Sequence, residues 1–284
     1  MKKLILFCMV ICSLLLAGCF SRTVPAETET LESIVIPCEI KLLLDNECVL
    51  DENRLLKESI REAFQTGDEY QGIYVEYLDT AERDFLNSGW VNRIRLKEGK
   101  SKYTLTYKRR FSVTDNNLEP AVIEAGKEGF SISDARFPAE VDWGYSKMTL
   151  SFSNESEVKS ETPLDINLLN HGDAIQMIAE HMPQEEINCK SDRWGTNLIN
   201  DAQIAGPIRF MRYSGTFEGY DIRIEIWPIE SEGKIEYITE FSAHAEDMDE
   251  AVVMHDSFIK SLDEMGIILH KDALKTQMIL NTGE

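Results

Sequence analysis

The chain has 284 residues, of which 29 are Lys or Arg and 50 are Asp or Glu, so its formal net charge at pH 7 is −21. Hydrophobic residues make up 43% of the chain, and this composition excludes a disordered or collagen-like polymer and indicates a globular domain. The acidity argues against a surface that binds nucleic acid or anionic lipid, because the field of the whole protein repels polyanions. An anionic ligand would need an enclosed, locally basic site.

The first residues of the chain are typical of a secretory signal. Two lysines follow the initiating methionine, and an apolar run of about 13 residues then falls short of the roughly 20 that a bilayer-spanning helix needs. The run ends in the sequence LAGC at 16–19, which resembles the lipobox of bacterial lipoproteins. The resemblance implies a signal peptide over 1–18, acyl chains on Cys19 that attach the protein stably to the membrane, and a lipid-anchored domain on the extracytoplasmic face of the cell membrane. An uncleaved anchor or a buried helix is the alternative.

Three cysteines follow the proposed lipid site, namely Cys38, Cys48 and Cys189. An odd number cannot form a complete disulfide framework. Cys38 and Cys48 could pair in an oxidising compartment, and burial as free thiols is equally compatible with the sequence. No C-x-x-C spacing or histidine cluster accompanies them, so a structural zinc site is not expected.

The segment 19–33 is rich in Thr, Glu and Ser and has no apolar period, which predicts a tether ahead of a domain over 34–284. Alternation of apolar and polar residues predicts eight strands, at 34–42, 72–78, 90–96, 102–111, 144–152, 208–214, 220–227 and 234–243. Helical spacing predicts helices over 51–64, 118–126 and 166–182, and from Asp247 or Asp249 to Met265. An acidic, Ser-rich stretch before Pro163 is typical of a loop.

Charged residues recur on one face of several predicted strands. Residues two apart on a strand point the same way, so Glu39 lies beside Lys41, and Arg93 beside Arg95. Such faces either meet water, as in many antiparallel sheets, or line the lumen of a closed barrel, where charges of both signs are needed. Spacing alone leaves both arrangements open.

A series of motifs runs through the second, third and fourth predicted strands. The sequence YLDT at 77–80 is followed by Gly89, by Arg93-Ile94-Arg95, and by LTYK at 105–108. This series resembles the CYTH family, the triphosphate tunnel metalloenzymes, which has a Tyr-x-Asp-Thr strand, a glycine ten residues after the Asp, an Arg-x-Arg strand and a Leu-Thr-x-Lys strand. Ahead of them, EIK at 39–41 resembles the end of the family's Glu-x-Glu-x-Lys strand. The match is close over 39–108, looser over 205–267 and absent from 112–200.

The resemblance implies an α+β fold in which an antiparallel eight-stranded β-barrel, or tunnel, carries peripheral helices and a divergent middle segment over 112–200. Carried over position by position, it implies five phosphate-binding residues: Lys41, Arg93, Arg95, Lys108 and Arg212. It also implies Glu39 and Glu240 as ligands of Mg²⁺ or Mn²⁺. Guanidinium and ammonium groups suit phosphate oxygens, and hard dications suit carboxylates.

Two departures from the family pattern fall on metal ligands. Pro37 stands where the first Glu of the first strand is expected, and Ile238 stands where the closing strand has another. Glu225 or Glu236 could supply a replacement carboxylate. We therefore expect a lipoprotein that binds a phosphorylated small molecule or polyphosphate through a degenerate metal site. A divalent-metal-dependent triphosphatase is the alternative, and a non-catalytic scaffold for protein contacts is a further one, so the sequence does not decide whether the chain is an enzyme.

Overall fold

The computed structural model describes residues 35–159, 169–231, 233–272 and 275–281. These residues belong to one compact unit that runs from Ile34 to Glu284. The predicted signal peptide, the tether and Cys19 lie outside the described residues. Within the described part, no helix combines the length and the apolar character that crossing a bilayer would require.

The described residues form ten strands and nine helices. The strands are β1 (Cys38–Leu44), β2 (Gln71–Asp79), β3 (Trp90–Lys97), β4 (Lys102–Ser112), β5 (Ala139–Trp143), β6 (Met148–Lys159), β7 (Gln203–Phe217), β8 (Tyr220–Ser231), β9 (Lys234–Ala245) and β10 (Ile268–Leu269). The helices are α1 (Asn46–Val49), α2 (Glu58–Phe64), α3 (Asp84–Asn87), α4 (Glu119–Lys127), α5 (His171–His181), α6 (Gln184–Ile187), α7 (Trp194–Ile199), α8 (Met248–Glu264) and α9 (Lys275–Asn281).

Nine of these strands close into a barrel in the order β1-β5-β6-β4-β3-β2-β7-β8-β9, and β9 pairs back onto β1. All neighbours are antiparallel except β1 and β5, which run parallel from Cys38 opposite Val141 to Ile40 opposite Trp143. The short β10 pairs with the other end of β1, where Leu43 lies opposite Leu269.

The expected eight-stranded antiparallel barrel is therefore wrong in strand number and in strand direction. The additional strand is β5, which has five residues and comes from the segment 112–200. Five residues offer too few alternations to register as a period of two. The other eight barrel strands coincide with the predicted ones, although β6 runs to Lys159 and includes most of the stretch interpreted as a loop.

Helix α8 packs on the outer face of β1 and β9. In α8 the side chains of Ala251, Met254, Phe258 and Leu262 are buried, and Asp247 caps the helix by accepting a hydrogen bond from the backbone N–H of Glu250 at 2.8 Å.

The helix predicted over 51–64 is shorter than expected, because α2 begins at Glu58. The carboxylate of Asp51 accepts backbone N–H groups of Asn53 and Leu55 in a turn instead of capping a helix. Cys38, Cys48 and Cys189 are free thiols, so Cys38 and Cys48 do not pair.

Candidate functional site

The barrel encloses a cavity of about 1630 Å³. The strand period explains its charged lining: on β3, Arg93 and Arg95 face the cavity, whereas Asn92 and Ile94 are buried on the opposite face. All of the predicted site residues in the described part line this one cavity: Lys41, Arg93, Arg95, Lys108, Arg212, Glu39 and Glu240. The charged strand faces thus line a lumen and do not form one face of an open sheet.

Three guanidinium groups lie on one wall of the lumen, carried by Arg93, Arg95 and Arg110, which we call the arginine cluster. Glu155 lies 2.8 Å from Nη2 of Arg95 and 3.7 Å from Nη2 of Arg93. The Nε of Arg93 is buried without a hydrogen-bond partner, and among the described residues no ion pair reaches Arg110. Arg93 and Arg95 thus share one carboxylate, and Arg110 has no carboxylate of a described residue within ion-pair distance.

Two pKa values in the arginine cluster are lowered, one mainly by a neighbouring cation and the other mainly by burial. The pKa of Arg95 is lowered to about 10, chiefly by repulsion from Arg93 and then by burial. The pKa of Arg110 is lowered by burial, which outweighs the attraction of Asp142. An anion placed among these groups would raise both values again and would be held by charge-assisted hydrogen bonds.

The two lysines of the predicted site already have carboxylate partners on β5. Asp142 accepts hydrogen bonds from Lys41 and, at 3.1 Å, from Lys108. Burial alone would raise the pKa of Asp142, but the two ammonium groups hold it well below its usual range. Burial lowers the pKa of Lys108, helped by the nearby Lys41, whereas at Lys41 the carboxylates outweigh burial and the pKa is raised. These lysines are therefore less available to a ligand than the arginine cluster.

On the opposite wall, carboxylates of two neighbouring strands also have internal partners. Arg212 donates to Oε1 of Glu225 from Nη2 at 2.6 Å and from Nε at 2.8 Å. Lys275, at the start of α9, donates to Oε2 of Glu225 at 2.8 Å and to Oε1 of Glu240 at 2.6 Å. Burial nevertheless keeps the pKa of Glu240 raised. Glu236, the other candidate replacement, is exposed and lies outside the cavity lining.

A third group combines two carboxylates with an imidazole. Glu39, Glu140 and His244 each place one ligand atom within 4.8 Å of the others. Oε1 of Glu39 lies 3.6 Å from Nε2 of His244, and Oε1 of Glu140 lies 3.5 Å from its Nδ1. Glu140 is the main cause of the raised pKa of His244. An N,O,O donor set of this kind suits a divalent cation such as Mn²⁺.

Each of the two expected metal ligands is paired with an ammonium group. Lys41 lies 2.6 Å from Oε2 of Glu39, which also has Glu140 and His244 beside it, and Lys275 lies 2.6 Å from Oε1 of Glu240. The structure accounts for one of the two departures in sequence, because Ile238 packs in an apolar cluster beside Trp227. The carbonyl of Pro37 accepts the N–H of Val141 on β5, a contact that any residue could make.

One end of the lumen is apolar. Leu43, Ile73, Phe210 and Trp227 form a cluster there, and α9 packs on it through Ile279 and Leu280, which are 1% and 3% exposed. This packing positions Lys275, at the start of α9, on the wall of the lumen.

Several lining residues were not among the predicted ones. Arg110 lies two residues after Lys108 on β4, so extending the alternation by one step would have found it. Glu140 and Asp142 lie on the strand that the sequence did not predict, and Lys275 belongs to a short helix far along the chain. No local signal marks those three residues as part of a site.

No family model matches the chain, and no curated protein matches it in sequence. Solved structures of similar fold include a proposed adenylyl cyclase of Hippeastrum with a dominant triphosphatase activity, at 13% identity, a TM-score of 0.48, and 86% and 94% coverage of this chain and that one. A proposed adenylate cyclase of Bacillus halodurans matches at 15% identity and a TM-score of 0.47, covering 86% and 96%. A protein of Pyrococcus horikoshii matches at 16% identity and a TM-score of 0.41, covering 86% and 98%. Likeness at this level does not identify an activity.

Proposed function

We propose that the lumen binds an anion of the triphosphate or polyphosphate type. The observation that carries the proposal is the arginine cluster, in which Arg93 and Arg95 share a single carboxylate, Arg110 forms no ion pair with a described residue, and Nε of Arg93 lacks an acceptor. A buried donor without an acceptor costs about 1–3 kcal/mol, and a ligand oxygen would remove that cost.

The chemistry of the arginine cluster favours a ligand with several phosphate groups. Each guanidinium presents a planar fork of donors that matches two phosphate oxygens. Arg95 lies opposite Thr104, six residues before Arg110 on β4, so the forks are spread along the lumen and suit a chain of phosphate groups. Enclosure selects a small ligand, because the chain's net charge of −21 repels large polyanions at the outer surface. A phosphorylated small molecule and a short polyphosphate both meet these conditions.

Calorimetry with tripolyphosphate tests the proposal. The double variant Arg93→Gln, Arg110→Gln should bind at least about 100-fold more weakly than wild type, because each lost charge-assisted hydrogen bond is worth about 1.5–3 kcal/mol. Arg209→Gln is the matched control, since Arg209 pairs with Glu98 at 2.7 Å and does not line the cavity. Equal affinity of the double variant and wild type would contradict the proposal.

A divalent-metal-dependent phosphohydrolase is the second candidate, and the group of Glu39, Glu140 and His244 favours it. A divalent cation held there would polarise phosphoryl oxygens. Within the lumen, the arginine cluster would bind and orient the phosphate chain, and the paired lysines would keep the carboxylates beside the cation ionised.

We also propose that the domain is attached to the extracytoplasmic face of the cell membrane through a lipid on Cys19. The proposal is supported by the sequence LAGC at 16–19 after a short apolar run. The protein would then bind its phosphorylated ligand outside the cytoplasm.

A further inference from the structure

The ammonium group of Lys275 is enclosed at the wall of the lumen by two carboxylates and an aromatic ring. Its Nζ lies 2.8 Å from Oε2 of Glu225 and 2.6 Å from Oε1 of Glu240, and 4.5 Å above the centre of the Trp227 ring. Trp227 also donates its indole N–H to Oε2 of Glu225 at 2.9 Å. Two carboxylate oxygens from neighbouring strands and one aromatic face thus surround a single ammonium group.

This arrangement differs from an ion pair on a protein surface. The side chains of Glu240, Glu225 and Lys275 are 6%, 10% and 16% exposed. Burial alone would lower the pKa of Lys275, but the two carboxylates raise it above its usual value. The packing of Ile279 and Leu280 holds α9 in place, so the ammonium group is positioned by the fold.

The charges explain why a cation is required at this point. Glu225 has a second partner in Arg212, whereas Lys275 is the one described residue that forms an ion pair with Glu240. A buried carboxylate without a counter-ion is strongly unfavourable. Divalent cations bind carboxylate oxygens at about 2.0–2.6 Å, so a metal bridging Glu225 and Glu240 would need the space that Nζ of Lys275 occupies.

We propose that Lys275 takes the place of a divalent cation between Glu225 and Glu240 and excludes metals from that wall of the lumen. The wild-type protein then binds no metal at Glu240, and removal of the ammonium group converts the two carboxylates into a divalent-cation site. This inference does not depend on anion binding in the lumen.

Titration with Mn²⁺ in the absence of phosphate, followed by electron paramagnetic resonance of the free ion, tests the proposal. Lys275→Met should bind one more Mn²⁺ per chain than wild type, and the double variant Lys275→Met, Glu240→Gln should lose that additional ion. Lys275→Arg is the matched control, because it keeps the positive charge and should retain the wild-type stoichiometry. Absence of additional binding by folded Lys275→Met would overturn the proposal.

A second comparison does not depend on the folding of the Lys275 variants. Wild type and Glu240→Gln should bind the same number of Mn²⁺ ions, because the amide oxygen of the variant would still accept the hydrogen bond from Lys275 and no metal uses Glu240. A lower stoichiometry in Glu240→Gln would show that a metal already binds there and would overturn the proposal. Failure of tripolyphosphate to bind would contradict the proposed function and leave the Mn²⁺ result unaffected.

Discussion

Arg95 on β3 reaches across β4 to Glu155 on β6, with Nη2 at 2.8 Å from Oε1. The same oxygen accepts a hydrogen bond from Oγ1 of Thr106 at 3.0 Å and lies 3.7 Å from Nη2 of Arg93. Glu155 therefore lies where the proposed anionic ligand would contact Arg93 and Arg95. Because Glu155 is 47% exposed, a ligand can displace it at a small cost.

Removal of this competing carboxylate should strengthen ligand binding. We expect Glu155→Gln to raise the affinity for tripolyphosphate about 3- to 10-fold, because a surface-accessible charge contributes about 1 kcal/mol or slightly more. Glu157→Gln, two residues along the same strand and paired with Lys102, should change the affinity little. Calorimetry at two salt concentrations measures both effects, and weaker binding by Glu155→Gln would show that Glu155 supports the ligand.

The pH dependence of stability should reveal a buried acid outside the lumen. Glu186 is 0% exposed, accepts one hydrogen bond from Asn92 at 2.7 Å and has a second oxygen without a partner. Burial raises the pKa of Glu186 from 4.5 to about 8. The folded state thus binds more protons than the unfolded state between these values, so this group's contribution to the free energy of unfolding falls as pH rises through that range.

Glu186→Gln removes this dependence because the amide stays neutral. The variant should gain about 1–3 kcal/mol over wild type at pH 8.5 and much less at pH 5. Urea unfolding at the two pH values measures the difference, with Glu185→Gln as a control on the same helix. An equal effect at both values would show that Glu186 is ionised in the folded protein throughout.

Lipid attachment should depend on a single residue. Cys19→Ala is expected to abolish incorporation of labelled palmitate and to move the protein from the membrane fraction to the soluble extracytoplasmic fraction once its signal is cleaved. Cys48→Ala should leave both unchanged, because Cys48 lies within the folded domain. Labelling that persists in Cys19→Ala would place the lipid elsewhere.

The phosphohydrolase alternative makes its own prediction about His244. If Glu39, Glu140 and His244 hold a cation, His244→Ala should weaken Mn²⁺ binding at least about 10-fold and slow Mn²⁺-dependent phosphate release from tripolyphosphate by a similar factor. His270→Ala is the control, since His270 is half-exposed and pairs with Asp263. Unchanged Mn²⁺ affinity in His244→Ala would remove this group as the metal site.

The sequence was most informative where strand alternation and motif spacing coincided. Arg93 and Arg95 lie two residues apart on a long strand, so the two-residue alternation of side chains points both of them into the lumen. Glu155 shows the opposite case: the charged end of β6 has the composition of a loop because its inward face meets a charged cavity and not an apolar core. Lys275 could not be predicted at all, since its position depends on how α9 returns to the barrel mouth.

The pairing of β1 with both β5 and β9 has a consequence for the order in which the lumen forms. Cys38 on β1 lies opposite Ala245 on β9. The second edge of β1 can therefore pair only after nearly the whole domain has been synthesised. Contacts between residues so far apart in the chain are slow to form. During synthesis the arginine cluster and its carboxylates thus stay exposed to water until β9 pairs with β1. The cavity forms only when that pairing closes the barrel. A chain that ends before β9 would carry every arginine of the cluster and still have no enclosed space in which to hold an anion.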